Sequence, residues 1–182
     1  VCLQDGTNCP ALVSAIVCTT ACNISTIVAG QSAIIYKTAA TNRVSVTVST
    51  LDPDLQFTNA PAGAYLVDGR LLVGAGAGGF ALSWFSSVAI TGGSGSNDNG
   101  GLLVAGPSAG GCTGSKTIQA SAFLTTHVTP YVCTSTLGST SNLFFDQLSY
   151  LPTAGSANFG VDWAQNVSDV SNTTINAGSY IR

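Results

Sequence analysis

The sequence predicts an all-β protein: a β-sandwich or barrel of short antiparallel strands with a disulfide-rich N-terminal segment. Three observations predict it. Strand-like runs alternate with turn residues at intervals of roughly eight to twelve residues, the rhythm of sandwiches and barrels. Strong helix formers are scarce, since Glu and Met are absent and Lys and Arg together number five. Apolar residues make up 45% of the chain and charged residues 7%, against about 25% charged in an ordinary soluble domain. That balance supplies a core and excludes a chain kept disordered by charge. The 182 residues are expected to form one secreted β domain.

Residues 1–22 read as a cystine-rich segment with turns at Asp5-Gly6 and Asn8-Cys9-Pro10. Ala11–Cys18 is a short apolar run that suits a helical turn or a strand. Ile24–Val28 and Ala33–Lys37 read as strands about a turn at Gly30-Gln31. The strongest strand signal is Arg43-Val44-Ser45-Val46-Thr47-Val48-Ser49, whose alternation puts Val on one face and Ser or Thr on the other. Asp52-Pro53-Asp54 is expected to turn the chain before a strand at Leu55–Thr58, and Asn59–Gly63 to turn it again. Ala64–Val67 and Arg70–Val73 flank Asp68-Gly69, a favoured two-residue hairpin turn.

Gly74–Gly79 reads as a flexible or bulged link, and Phe80–Ile90 as a strand carrying Trp84 and Phe85. Residues 91–101 form an expected exposed loop of Gly, Ser and Asn. Further strands are expected at Leu102–Ala105, Lys116–Phe123, Thr125–Cys133 and Leu143–Leu148. A weakly alternating tail then runs over Phe159–Ile181.

Cys2, Cys9, Cys18, Cys22, Cys112 and Cys133 make an even set, read as disulfides formed in an oxidising compartment. Cys112 is expected to pair with Cys133, and the other four to close within the N-terminal segment. Zinc is the rival reading, but the spacing of the first four cysteines matches no finger or ribbon. Asn23, Asn166 and Asn172 head glycosylation sequons, which accord with secretion. Val1 would then follow a cleavage point. No apolar stretch approaches the roughly 20 residues that span a bilayer.

Several function classes lose support on composition. Lys37, Arg43, Arg70, Lys116 and Arg182 are scattered, so no basic cluster exists to neutralise nucleic-acid phosphates. Gly74–Gly79 lacks the Lys-Ser/Thr ending of a phosphate loop, and Phe80–Trp84 beyond it reads as strand where a dinucleotide fingerprint needs a helix. Only Asp is available for a two-carboxylate hydrolase. Asp162 and Asp169 would lie on opposite faces of a regular strand, and Asp52 and Asp54 would share one. His127, the single imidazole, lies in an alternating strand with no nucleophile elbow anywhere in the chain. No catalytic, cofactor-binding or metal-ligating residue is assigned, and no cofactor is expected. Trp84, Trp163, Tyr65, Tyr131, Tyr150 and Tyr180 could stack on sugar rings or pack a core.

Low charge, abundant Ser, Thr and Gly, even cysteines and sequons are similar to small secreted or wall-associated proteins of fungi. Gln56–Leu72 is similar to strands in those proteins, and secreted archaeal filament subunits share the composition. The resemblance implies an extracellular setting and transfers no functional residue. The expected function is that of an extracellular structural or adhesive protein, a self-assembling cell-surface or fibre subunit joined by strand exchange. Val44–Ser49 and Ile24–Tyr36 are the segments expected to join subunits. The partners would be other copies of the chain or extracellular glycans. A secreted carbohydrate-binding module is the alternative, ahead of an Asp-dependent hydrolase.

Overall fold

A computed structural model describes residues 15–63, 65–87, 101–105, 115–119, 131–134, 137–150 and 157–182. The described residues are all-β, without a helix, and form two packed sheets. The first sheet is built on β6 (Tyr65–Ala75), which pairs along one edge with β11 (Leu137–Tyr150). β11 continues to β8 (Gly101–Ala105) and β9 (Ser115–Gln119). The other edge of β6 is shared by two short C-terminal strands, β13 (Thr173–Ile175) and β14 (Tyr180–Ile181). β13 carries β4 (Thr41–Arg43), while β14 carries β3 (Ala33–Tyr36) and then β1 (Ile16–Cys18). The second sheet runs β10 (Tyr131–Cys133), β7 (Phe80–Ser86), β12 (Ala157–Ala164), β5 (Thr50–Ala60), β2 (Cys22–Asn23).

Alternation explains how the sheets meet. Along β6, Val67, Leu71, Val73 and Ala75 are buried while Asp68, Arg70, Leu72 and Gly74 are half-buried, as expected of a strand covered on one face. The second sheet answers with Leu55, Phe57, Phe80, Leu82, Phe159, Val161 and Trp163. Phe57 and Phe159 rings lie 5.2 Å apart, and Phe80 stacks on Trp163 at 5.9 Å, both within the favourable range for aromatic pairs.

The N-terminal strands attach differently from the rest. β1 and β2 are parallel additions to otherwise antiparallel sheets, one on each sheet, and a Cys18–Cys22 disulfide links them. That bridge closes within the N-terminal segment, as expected, and a loop this short stabilises by about 2 kcal/mol through the unfolded chain. Cys133 is also disulfide-bonded. Cys2, Cys9 and Cys112 lie outside the described residues, as do His127 and all of the 91–101 loop except Gly101, which opens β8.

Four local expectations are corrected. Asp68-Gly69 does not turn, because β6 passes straight through it. Glycine is required there for close approach: a Cβ on Gly69 would lie 2.5 Å from the Tyr180 carbonyl oxygen. Asp68 instead exchanges backbone hydrogen bonds with Arg182 at 2.8 and 2.9 Å. Asp52-Pro53-Asp54 does not end a strand either, since β5 continues across it as a bulge. Gly160 faces Gln56 and Asp162 faces Leu51, so extra β5 residues are extruded between the two pairs. Ile24–Val28 is irregular, with its Ile24 amide bonded to the Thr58 carbonyl at 2.9 Å.

The fourth correction concerns Arg43–Ser49. Only Arg43 belongs to a strand, and residues 44–49 bend away. Ser45 adopts a φ of 54°, outside the extended region. Its amide donates to the Asp169 carbonyl at 3.0 Å, and the Gln165 amide donates to the Val46 carbonyl at 2.8 Å. The backbone is thus bound to another loop rather than to a strand.

Candidate functional site

Three local arrangements stand out for their chemistry: a buried ionic knot, an apolar cleft at one end of the sandwich, and exposed valines at the other. The knot lies between the sheets. Lys37, immediately after β3, is buried, and its Nζ donates to Asp52 Oδ1 at 2.9 Å and Asp54 Oδ2 at 2.7 Å. The β5 bulge turns both carboxylates toward this one ammonium. Asp52 Oδ1 also accepts the backbone amides of Asp54 and Leu55 at 3.0 and 3.1 Å, the local turn bonding that aspartate favours. Trp163 Nε1 donates to Asp52 Oδ2 at 3.0 Å.

Arg43 completes the knot. Its guanidinium donates to the Trp163 and Leu51 carbonyls and stands 4.1 Å over the Trp163 ring centroid, within cation–π range. Burial pushes its pKa below the ordinary guanidinium value, with Asp52 and Asp162 acting in the opposite direction. Lys37 thus contacts both Asp52 and Asp54, and Arg43 adds a second positive charge near Asp52. Asp52 and Lys37 have no exposed side-chain surface, and Asp54 keeps 26%. This is the geometry of a structural ion-pair network, in which Asp52 holds a donor at each carboxylate oxygen and its ammonium partner is sealed from solvent.

The carboxylates considered for hydrolysis are thus separated by role. Asp52 and Asp54 share a partner, in line with their sharing a face. Asp162 is buried in β12, where Ser83 Oγ donates to its Oδ2 at 3.3 Å. Asp169 lies in the loop after β12 and binds the Ser171 amide at 2.7 Å and the Ser171 hydroxyl. Those bonds hold its carboxyl below the usual carboxylate range.

The cleft, of about 560 Å³, opens where β5 turns into β6. Ile24, Ile27, Phe57, Tyr65, Val67 and Phe159 form its apolar lining, and Val28 and the Asp68–Arg182 pair also border it. The Tyr65 ring lies 5.7 Å from that of Phe159, and its hydroxyl donates to the Pro61 carbonyl at 2.8 Å. Burial raises the Tyr65 pKa. Arg182 Nη2 meets Asp68 Oδ2 at 2.6 Å, so the cationic and anionic rim groups satisfy each other.

At the opposite end, the 44–49 loop and the loop after β12 expose Val44, Val46, Val48, Val167 and Val170. Val48 is 71% and Val170 86% exposed. Besides the bonds through Ser45 and Gln165, the Val167 amide donates to the Gly78 carbonyl at 2.9 Å, anchoring this end to the turn beyond β6.

Of the aromatics considered as sugar platforms, Trp163 is wholly buried. The side chains of Trp84, Tyr131 and Tyr150 are outside the described set. Tyr36, which the sequence did not single out, joins Tyr180 on the outer face of the first sheet with ring centroids 6.0 Å apart. Arg70, cross-strand from Tyr180, donates to Asn142 Oδ1 at 2.7 Å on the same face. Asn23 and Asn172 are exposed and Asn166 is half-buried. Among the described residues no cluster of three His, Cys, Asp or Glu is arranged to hold a metal, and no helix is long and apolar enough to cross a membrane.

Sequence reasoning missed the knot. Lys37 and Arg43 are two of only five fixed cations and stand near Asp52-Pro53-Asp54 in the chain. That proximity was the available signal. No protein-family model, curated protein or solved structure matches the chain.

Proposed function

We propose that the protein is an extracellular structural or adhesive subunit that assembles with copies of itself. The observation that carries the reading is the valine end. A chain that buries Val67, Val73 and Val161 leaves five other valines in solvent on two joined loops. Apolar surface gathered in this way marks an interaction site far more often than surface apolar residues scattered singly. Of the two segments expected to join subunits, β3 is already flanked by β1 and β14, whereas Val44–Ser49 is held by another loop, pairs with no strand and exposes its valines.

Electrostatics support the reading. Lys37 and Arg43 are drawn inward, Arg182 is paired with Asp68, and Arg70 is bonded to Asn142. Little like-charge repulsion remains to keep copies apart. Secretion, disulfide formation by all six cysteines and glycosylation at Asn23, Asn166 and Asn172 belong to the same proposal. Sedimentation velocity over a wide concentration range, with electron microscopy of the same samples, tests it. Concentration-dependent growth is expected, and a monomer at every concentration rejects assembly.

A second reading, a carbohydrate-binding module, is favoured by the Tyr36–Tyr180 pair beside Arg70 and Asn142. Aromatic rings with adjacent hydrogen-bonding groups suit sugar recognition. Saturable polysaccharide binding that Tyr36→Ala abolishes would establish it.

A further inference from the structure

The ionic knot holds an amine against two carboxylates in a site almost closed to solvent, and the assembly reading makes no use of it. The geometry points to a covalent modification: Lys37 Nζ condenses with the Asp54 carboxyl group to form an isopeptide bond within the chain, with Asp52 carrying the protons. The inference is independent of the assembly reading and goes beyond it.

The reacting groups are already in contact. Lys37 Nζ stands 2.7 Å from Asp54 Oδ2 and 2.9 Å from Asp52 Oδ1. Backbone bonds fix both sides of that contact. The Lys37 amide donates to the Ser179 carbonyl at 2.8 Å, and the Lys37 carbonyl accepts the Gly178 amide at 2.9 Å. Across the gap, the Asp54 amide donates to Asp52 Oδ1 at 3.0 Å, which ties the two aspartates of the β5 bulge together. Groups held in this way react without a diffusional encounter, with effective concentrations of roughly 10⁵–10⁸ M where orientation is good.

The surroundings favour the product. The Lys37 and Asp52 side chains have no exposed surface, and ions kept from water are costly. Condensation replaces one ammonium and one carboxylate by a neutral amide, and it balances without an activating reagent. Nζ passes one proton to Asp52 Oδ1, and its freed lone pair attacks Asp54 Cγ. The C–N bond forms, Nζ gives up a second proton, and one C–O bond of the Asp54 carboxylate breaks. The leaving oxygen receives both protons by way of Asp52 and departs as water. The Asp54 side chain keeps 26% of its surface open, which gives that water a way out.

Hydrogen bonding also selects Asp54 as the acceptor. Asp52 keeps the Asp54 and Leu55 amides on Oδ1 and Trp163 Nε1 on Oδ2, and the new amide N–H takes the place of the ammonium. Arg43 remains as the countercharge to Asp52. Condensation at Asp52 would instead remove an oxygen that serves either Trp163 or the two backbone amides, and a buried donor left without its acceptor is penalised. The bond ties the end of β3 in the first sheet to β5 in the second. It also closes residues 37–54, with Val44, Val46 and Val48 among them, into a ring.

Tryptic mapping of the full chain, reduced and deglycosylated, tests the bond. Lys37, Arg43 and Arg70 are the first cleavage points, and residues 44–70 contain no cysteine. The bond blocks cleavage after Lys37 and leaves residues 1–43 joined to 44–70 as one branched peptide. That peptide is lighter than its two parts by one water, and its fragment ions place the branch at Asp54. Asp54→Ala, altered at a partly exposed side chain, restores cleavage after Lys37 and releases residues 38–43. Asp52→Asn, with its fold checked by circular dichroism, does the same because the proton carrier is gone. Release of residues 38–43 as the main product from the parent overturns the bond. A branch at Asp52 overturns the choice of acceptor, and a branch that forms as fully in Asp52→Asn overturns the role given to Asp52.

Discussion

The ionic knot and the valine end are separated by a single peptide bond, between Arg43 and Val44, yet they invert the ordinary distribution of polarity. On one side Lys37, Arg43, Asp52 and Asp54 go inward. On the other, Val44, Val46 and Val48 go outward. Burying an ion pair is costly and usually no better than burying hydrocarbon, whereas breaking one is severe. The two halves of the inversion are physically linked. Arg43 bonds the Trp163 and Leu51 carbonyls, which fixes the exit of β4 and throws the next valines clear of the sheets. Polarity in this region is set by the knot's geometry and not by the hydropathy of neighbouring residues.

The largest expected effect comes from removing the cation at the knot's centre. Lys37→Met leaves Asp52 buried without its ammonium and should cost about 3–5 kcal/mol, read as a lower urea midpoint. A loss below about 1 kcal/mol would mean that the knot does not organise the fold. Trp163→Phe keeps an aromatic ring but removes the donor to Asp52 Oδ2 and part of the buried indole. A hydrogen bond to a charged group contributes about 1.5–3 kcal/mol, so a smaller but clear midpoint shift is expected. The valine end should behave in the opposite way. Replacing Val44, Val46 and Val48 together by Thr should change stability by only about 0.5 kcal/mol per site at most, while association in sedimentation falls sharply.

The smallest effect concerns acid. Asp169 has a folded pKa below its unfolded one, owing to Ser171. Its contribution to holding the loop after β12 is therefore complete above the ordinary carboxylate range and fades as pH falls through the depressed folded value. Exchange of the Ser171 amide should accelerate over that acidic window and remain steady through neutral pH, once the intrinsic pH dependence of exchange is divided out. Corrected exchange that accelerates on raising the pH would contradict the assignment.

Fold class was legible because period-two patterning and the scarcity of helix formers act along the whole chain. β3, β7 and β8 fall where apolar runs place them. The failures share one cause, a tertiary contact outweighing a local preference. Asp68-Gly69 has the chemistry of a hairpin turn, but the glycine is needed for the passage of Tyr180, far along the chain. Arg43–Ser49 has the alternation of a strand, but its first residue is recruited by Trp163 and its third by Asp169. Asp52-Pro53-Asp54 was half legible: the aspartate bonds its own backbone as a turn would, within a strand that continues. The cleft was not legible at all, since Ile24, Phe57, Tyr65 and Phe159 converge only after folding.

Self-assembly through the valine end is tested most directly by sedimentation velocity of the parent and of Val48→Asp over the same wide concentration range. The account predicts that the parent grows with concentration, while Val48→Asp keeps the parent's circular dichroism spectrum and stays smaller at every concentration. A parent that remains monomeric throughout, or a Val48→Asp variant that assembles as readily as the parent, would contradict it.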